Sequence, residues 1–262
     1  MTEGDKKTAD AEPGPRNPEA GWFGDRAVEP RAKTDMVHGV FDRVARRYDL
    51  MNDLMSAGTH RLWKASFVAQ VKLRANERSL DVAGGTGDIA FRLKDRTPAA
   101  DITICDLTEA MVRVGRDRAF DRGLVHGLNV VVGNAEALPI ADRSIDAYTI
   151  AFGLRNVTRI DDALAEARRV LKPGGRFFCL EFSQVALPML RRAYDAYSFA
   201  VIPRLGEIVA RDRDSYQYLV ESIRRFPDQT ELEQRMNQAG FRHTRWRNLS
   251  AGIAAIHSGW RI

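Results

Sequence analysis

Nowhere do the 262 residues string together the ~18 consecutive apolar residues that a membrane-spanning helix needs. Cysteine is nearly absent: Cys105 and Cys179 are the two, too few for a disulfide scaffold or a CxxC metal site. Both stand in apolar, β-rich runs, Thr103-Ile104-Cys105 and Phe177-Phe178-Cys179-Leu180. Each is therefore expected as a buried strand residue of a reduced, cytoplasmic chain. Charge of one sign is not gathered into blocks either, and 40 basic residues exceed 35 acidic ones by only five. That excludes the basic stripe of a nucleic-acid binder, while weak attraction to an anionic membrane surface stays compatible. A core is amply provided for, because 44% of the residues are hydrophobic, far above the disordered class.

Residues 1–34 differ from the rest. Pro13, Pro15, Pro18 and Pro30 mix with Gly and charged residues, and only Trp22, Phe23 and Val28 are bulky and apolar. Such a segment buries too little to offset its ordering entropy. It also has no apolar h-region and too many acids for a transit peptide. It is expected to be a disordered tail before a single domain over 35–262.

From Val37 a helical period appears, with Val37, Val40, Phe41, Val44 and Tyr48 on one face, and a second helix is expected over about 60–73. Strands and helices then alternate. Strands are expected at Ser79–Ala83, Asp101–Cys105, Asn129–Val132, Ser144–Ala151 and, after the turn Lys172-Pro173-Gly174-Gly175, at Arg176–Phe182. Helices are expected from Asp88 and over about 108–122, 160–171 and 230–239, with two closing strands over about 241–248 and 252–257. The fold class is α/β, a mostly parallel, Rossmann-like sheet of seven strands. Its antiparallel end resembles the class I methyltransferase arrangement.

The densest local signal is Asp81-Val82-Ala83-Gly84-Gly85-Thr86-Gly87-Asp88. Glycines between a strand end and a helix start let backbone approach a ligand closely. Asp106, at the end of the second strand, is placed to accept both ribose hydroxyls of an adenosine moiety. A dinucleotide fingerprint would need a third glycine where Ala90 stands. The acids Asp81 and Asp88 would repel a pyrophosphate, but they suit S-adenosylmethionine, which carries an ammonium and a sulfonium. Asn134-Ala135-Glu136, closing the third strand, can read an adenine edge or be an ordinary turn.

Longer stretches carry a family likeness. Val40–Lys64, Ala83–Asp88, Phe152-Gly153-Leu154-Arg155-Asn156-Val157 and Arg169–Gly175 resemble the ubiquinone/menaquinone biosynthesis C-methyltransferases (UbiE/MenG type), as do Tyr194–Ser198, Asp214–Leu219 and Glu221-Ser222-Ile223. The resemblance covers about residues 37–262. It implies methyl transfer from S-adenosylmethionine to a ring carbon of a polyprenylated quinol. That acceptor is a 2-methoxy-6-polyprenyl-1,4-benzoquinol, a demethylmenaquinol or both. It also implies Thr86, Asp106, Asn134 and Ala135 as cofactor positions beside Gly84 and Gly85. Ala151 stands where relatives often have Ser, so one hydroxyl contact is missing there.

Carbon methylation needs an ionised or strongly polarised quinol hydroxyl. Arg155, just past the fourth strand at the carboxyl edge of the sheet, is the expected phenolate stabiliser, against a plain ion-pairing role. Tyr48 is the second expected catalytic group, against core packing, and His60 is read as structural. Residues 184–226 form an amphipathic insert with Met189, Leu190, Tyr194, Tyr197 and Val201. It can serve as a lid over a greasy acceptor, as a docking face at the inner side of a bacterial cell membrane, or as a homodimer contact. A quinone-biosynthesis complex is a further partner class. A headgroup-amine N-methyltransferase is the alternative enzyme, and a non-catalytic scaffold is disfavoured by the intact loop. No metal site is expected.

Overall fold

The computed structural model describes residues 21–23, 26–29, 32, 33, 35–37, 39, 56, 58–124, 126–185 and 213–262. In chain order the elements are β1 Gly21–Phe23, β2 Arg26–Val28, α1 His60–Val71, β3 Arg78–Val82, α2 Asp88–Arg96, β4 Asp101–Asp106, α3 Glu109–Asp121 and β5 Leu128–Val132. Then follow β6 Ile145–Ala151, α4 Ile160–Val170, β7 Leu171–Phe182, α5 Arg213–Arg225, α6 Gln229–Gln238, β8 Arg242–Leu249 and β9 Ala254–Trp260.

Seven strands form one sheet in the order β5-β4-β3-β6-β7-β9-β8. The first five are parallel, and β9 runs antiparallel between β7 and β8. Strand alternation divides the core. Ile102, Ile104, Phe178 and Leu180 pack on one face with Phe67 and Val68 of α1 and Leu93 of α2. Cys105, Tyr148, Ile150, Phe177 and Cys179 pack on the other with Leu164 of α4 and Met236 of α6. Burial on both faces is what a near-continuous apolar strand sequence provides for. Both cysteines are buried and free, and burial pushes the Cys105 thiol up to about 12.

Three boundaries differ from the sequence expectation. The fifth strand of the parallel set starts at Leu171, not Arg176, and Lys172–Gly175 is absorbed as an irregularity where the register to β6 slips. Here Gly174 takes a φ of 80°, so the glycines bend a strand instead of ending a loop. Inside the stretch expected to be disordered, β1 and β2 pair as a hairpin. Phe23 stacks on Tyr218 of α5 with ring centroids 4.3 Å apart. Phe23 thus ties that segment to the body of the protein. Residues 32, 33, 35–37 and 39 are helical, so the helix expected from Val37 begins earlier. Tyr48 and residues 186–212 of the amphipathic insert lie outside the described residues. The last turns of the insert are α5.

At the far edge of the sheet, β8 shows solvent Arg242, His243, Arg245, Trp246 and Arg247. No described helix is long and apolar enough to cross a membrane.

Candidate functional site

The chain leaves β3 for β4 and β5 on one side, then returns to β6 on the other. The carboxyl ends of β3, β4 and β6 therefore surround a crevice, the place where open α/β sheets take ligands. The cleft there is walled by Gly85 from the loop after β3, Asp106 ending β4, Asn134 and Ala135 after β5, and Gly153 and Asn156 after β6. From outside the sheet, Val37 closes one side of it.

Loop geometry explains two of the glycines. A Cβ on Gly84 would stand 2.9 Å from both the Asp81 carbonyl oxygen and Ile104 Cγ2. Gly85 takes a φ of +55°, and a Cβ there would meet nothing within 4 Å. Backbone conformation, not crowding, selects glycine at 85. Asp106 locks this loop to its own strand: Oδ2 accepts from Gly85 N at 2.8 Å, and Oδ1 accepts from Thr108 N at 2.8 Å. Across the cleft Asn134 Oδ1 accepts from Glu136 N at 2.9 Å, a tight side-chain turn. Glu136 in turn accepts the main-chain N–H of Thr158 at 2.9 Å and of Arg159 at 3.1 Å.

The acids around the loop are not equivalent. Asp88 opens α2 and is held by Lys64 at 2.8 Å and Arg92 at 2.7 Å. Burial raises its carboxyl, but these two cations outweigh burial and hold it below the usual range. Its charge is thus already balanced, contrary to the expectation that it serves a cationic ligand. Asp81 is different. It is 1% exposed, its Oδ1 accepts from Thr149 Oγ1 at 2.8 Å, and among the described residues Oδ2 has no partner. Burial above all, aided by the neighbouring Asp88 and Asp106 charges, pushes its carboxyl up to about 7. An orphaned, buried carboxylate oxygen under the loop fits the ammonium of S-adenosylmethionine.

Gly85, Asp106, Asn134 and Ala135 are thus brought together around one cleft. Gly84 supports the loop from behind. Thr86 and Ala151 stand off the wall: Thr86 is buried and its hydroxyl accepts from Arg118 Nη1 at 2.8 Å, and half-buried Ala151 ends β6 against Leu180.

Arg155 lies in the short 3-10 turn Leu154–Asn156 after β6, and it is not an open cation on the rim. Its side chain is wholly buried, with Nη1 2.8 Å from Glu181 Oε1 and 2.5 Å from the Phe152 carbonyl oxygen. Among the described residues Nε and Nη2 have no acceptor. Neighbouring Asn156, on the cleft wall, accepts from the Tyr218 hydroxyl at 3.1 Å. His60 is buried at the start of α1, its main-chain N–H donating to Ser56 Oγ at 3.1 Å.

Glu181 and Lys33 were not singled out from the sequence, and Val37 was read only as part of an apolar helix face. Glu181 had a signal, a lone acid inside the apolar run Phe177–Phe182. Lys33 had none: its Nζ reaches the Val157 carbonyl oxygen at 2.7 Å, across 124 residues of chain. Burial pulls that ammonium down to about 8, opposed by Glu136.

Comparison with known proteins identifies the family and the fold. A family model described as the ubiE/COQ5 methyltransferase family matches residues 29–261. The chain is 59% identical over 248 residues to the ubiquinone/menaquinone biosynthesis C-methyltransferase UbiE of Paracoccus denitrificans, covering 95% of this chain and 99% of that one. Among solved structures it resembles a SAM-dependent methyltransferase of Thermotoga maritima, with a TM-score of 0.60 and 23% identity over 86% of this chain and 100% of that one. It also resembles phosphoethanolamine N-methyltransferase 2 of Haemonchus contortus in complex with S-adenosyl-L-methionine, with a TM-score of 0.58 and 12% identity over 76% of this chain and 52% of that one. At such identities these two speak for the fold alone.

Proposed function

The chain belongs to the ubiE/COQ5 methyltransferase family, and from that premise we infer that it moves the methyl group of S-adenosylmethionine to a ring carbon of a polyprenylated quinol in ubiquinone and menaquinone biosynthesis. The acceptor is a methoxy-polyprenyl-benzoquinol, a demethylmenaquinol or both. Transfer to a headgroup amine is not favoured, because the N-methyltransferase likeness is one of fold only.

The observation that carries the reading is the Asp106 carboxylate, tied to Gly85 N and set opposite Asn134 and Ala135 across one cleft. In this proposal Asp106 accepts the ribose hydroxyls, Asn134 and Ala135 border the adenine, and Asp81 Oδ2 accepts the ammonium. Gly84 and Gly85 shape the loop. Thr86 and Ala151 act from behind it. When bound, S-adenosylmethionine supplies an electrophilic methyl group. The remaining tasks fall to side chains of this protein. Arg155 donates hydrogen bonds from Nε and Nη2 to the quinol oxygen and so stabilises its phenolate form. Tyr48 is proposed as a second hydrogen-bonding group. Val37 and Phe152 cover the cleft with apolar surface, keeping water from the reacting carbon. The 184–226 stretch is proposed as the lid over the prenylated acceptor, with peripheral contact to the membrane in which such acceptors dissolve. A homodimer or a complex with other quinone-modifying proteins fits the same reading.

Incubation with S-adenosylmethionine and a chemically reduced, short-tailed demethylated quinol tests the assignment. The expected product carries its new methyl on ring carbon, read by mass spectrometry and NMR. Methylation on oxygen, or of an amine and not the quinol, overturns it.

A further inference from the structure

An acid inside an apolar strand demands a partner, and Glu181 has an unusual one. It is 1% exposed in β7. Its Oε1 accepts from Arg155 Nη1 at 2.8 Å and from the Phe182 main-chain N–H at 2.9 Å. Its Oε2 accepts from the main-chain N–H of Arg155 at 3.3 Å. One carboxylate therefore holds Arg155 at both ends, by the backbone of the turn and by the tip of the side chain. The Phe152 carbonyl takes a second bond from the same Nη1. The other edge of the guanidinium, Nε and Nη2, has no acceptor among the described residues although it is buried. The guanidinium carbon lies 5.4 Å from the centroid of the Phe182 ring.

A buried donor edge of this kind is costly unless something accepts from it, and a buried guanidinium is costlier still without a counter-charge. Glu181 meets the second demand and leaves the first open. We propose that Glu181 is the positioning residue of the reaction: it fixes the Arg155 fork so that the Nε–Nη2 edge meets the quinol oxygen, and it makes the phenolate stabiliser a neutral guanidinium–carboxylate pair instead of a bare cation. This rests on the role given to Arg155 above.

The pair works by preorganised hydrogen bonds more than by net charge. Removing the Glu181 charge should make the quinol easier to ionise, because a like charge leaves its neighbourhood, yet slow the reaction, because the fork is loosened. Burial raises the Glu181 carboxyl itself, opposed by Arg155, and Lys33, on the Val157 carbonyl, is lowered by burial to about 8. Tyr218 of α5 is pushed well up by burial, and so is Cys179 of β7.

The test is a cycle of Glu181→Gln, Arg155→Gln and the double variant, assayed over pH with a short-tailed demethylated quinol and S-adenosylmethionine. Cofactor binding is measured by calorimetry on each variant. Glu181→Gln is expected to lower kcat by about ten-fold or more with cofactor affinity kept, and to move the acid limb of the kcat profile to lower pH. The double variant is expected to be no slower than Arg155→Gln, because Glu181 acts through Arg155. A purely architectural Glu181 would leave the acid limb where it is, and its loss would add to that of Arg155; either result overturns the proposal. Should Glu181→Gln fail to fold, Glu181→Asp keeps the charge and shortens the reach. It should lose kcat without moving the limb, and wild-type kcat in that variant sinks the idea. Full activity of Arg155→Gln would instead remove the role of Arg155 itself, whereas an inactive Arg155→Gln beside an unchanged Glu181→Gln rejects the role of Glu181 alone.

Discussion

The Asp106 carboxylate, an acceptor on both oxygens, is fixed at the cleft by the main-chain N–H groups of Gly85 and Thr108. Asp106→Ala should weaken S-adenosylmethionine by roughly 1.5–3 kcal/mol, the range for hydrogen bonds to a charged group, with a further loss from the loosened loop. Calorimetry that finds unchanged affinity would remove the ribose role. Arg155 gives a sharper contrast. An exposed arginine lost to alanine changes stability little, but Arg155→Ala strands the buried Glu181 carboxylate and should cost about 3–5 kcal/mol. Its kcat should fall by ~10²-fold, the scale of one lost transition-state donor. Chemical denaturation and single-turnover kinetics on the same variant separate the two effects. A variant with normal stability would contradict the buried pair.

At the scale of elements, the alternation of strands and helices was legible because the period changes with each one: Ser79–Val82 alternates against a sheet, and Ile160–Val170 repeats as a helix does. The convergence of Gly85, Asp106 and Asn134 on one cleft was equally legible, since all lie at or just past strand ends, where topology alone brings them together. What sequence did not disclose depends on contacts distant along the chain. Lys33 on the Val157 carbonyl and Phe23 on Tyr218 turn part of a seeming tail into a clamp on the cleft, and no local pattern announces either. Arg155 was singled out, but its partner 26 residues on was not, so it was expected as an open cation. A chain lacking residues 1–39 should keep its fold yet bind S-adenosylmethionine more weakly by about 1–2 kcal/mol, the worth of one apolar side chain over the cleft. The pH dependence has a definite sign. Lys33 is depressed from 10.5 to about 8, so its contribution is fully present above 10.5 and is lost as pH falls through 8. The difference in melting temperature between full-length and shortened chains should accordingly widen from pH 8 upward. A gap that stays constant would assign the lysine no part in the docking.

For the whole molecule, two buried groups set opposite slopes of stability against pH. Asp81 is raised from 3.8 to about 7, so its contribution is present below 3.8 and lost as pH rises through 7. His257, buried in β9 with Nε2 3.0 Å from the Gln229 carbonyl oxygen, is lowered by burial from 6.5 to about 4. Its contribution is present above 6.5 and lost as pH falls through 4. Between roughly pH 4 and 6.5 the two nearly offset each other, so urea midpoints of the ligand-free protein should change little. Asp81→Asn should expose the histidine slope, with stability climbing as pH rises. A flat profile in that variant would show that Asp81 is not what balances it. A different consequence attaches to the outer edge of the sheet. Among the described residues strand β8 ends the sheet with no strand on its outer side, and it holds Arg242, Arg245 and Arg247 in solvent. Guanidinium groups on such an edge keep a second copy from adding its own strand. That guard is electrostatic and so depends on the medium: at 1 M salt, where screening acts within about 3 Å, the repulsion between two such edges is largely gone. Strand-to-strand association between copies at high salt would then start from this margin, read as a rise in apparent mass by light scattering between low salt and about 1 M.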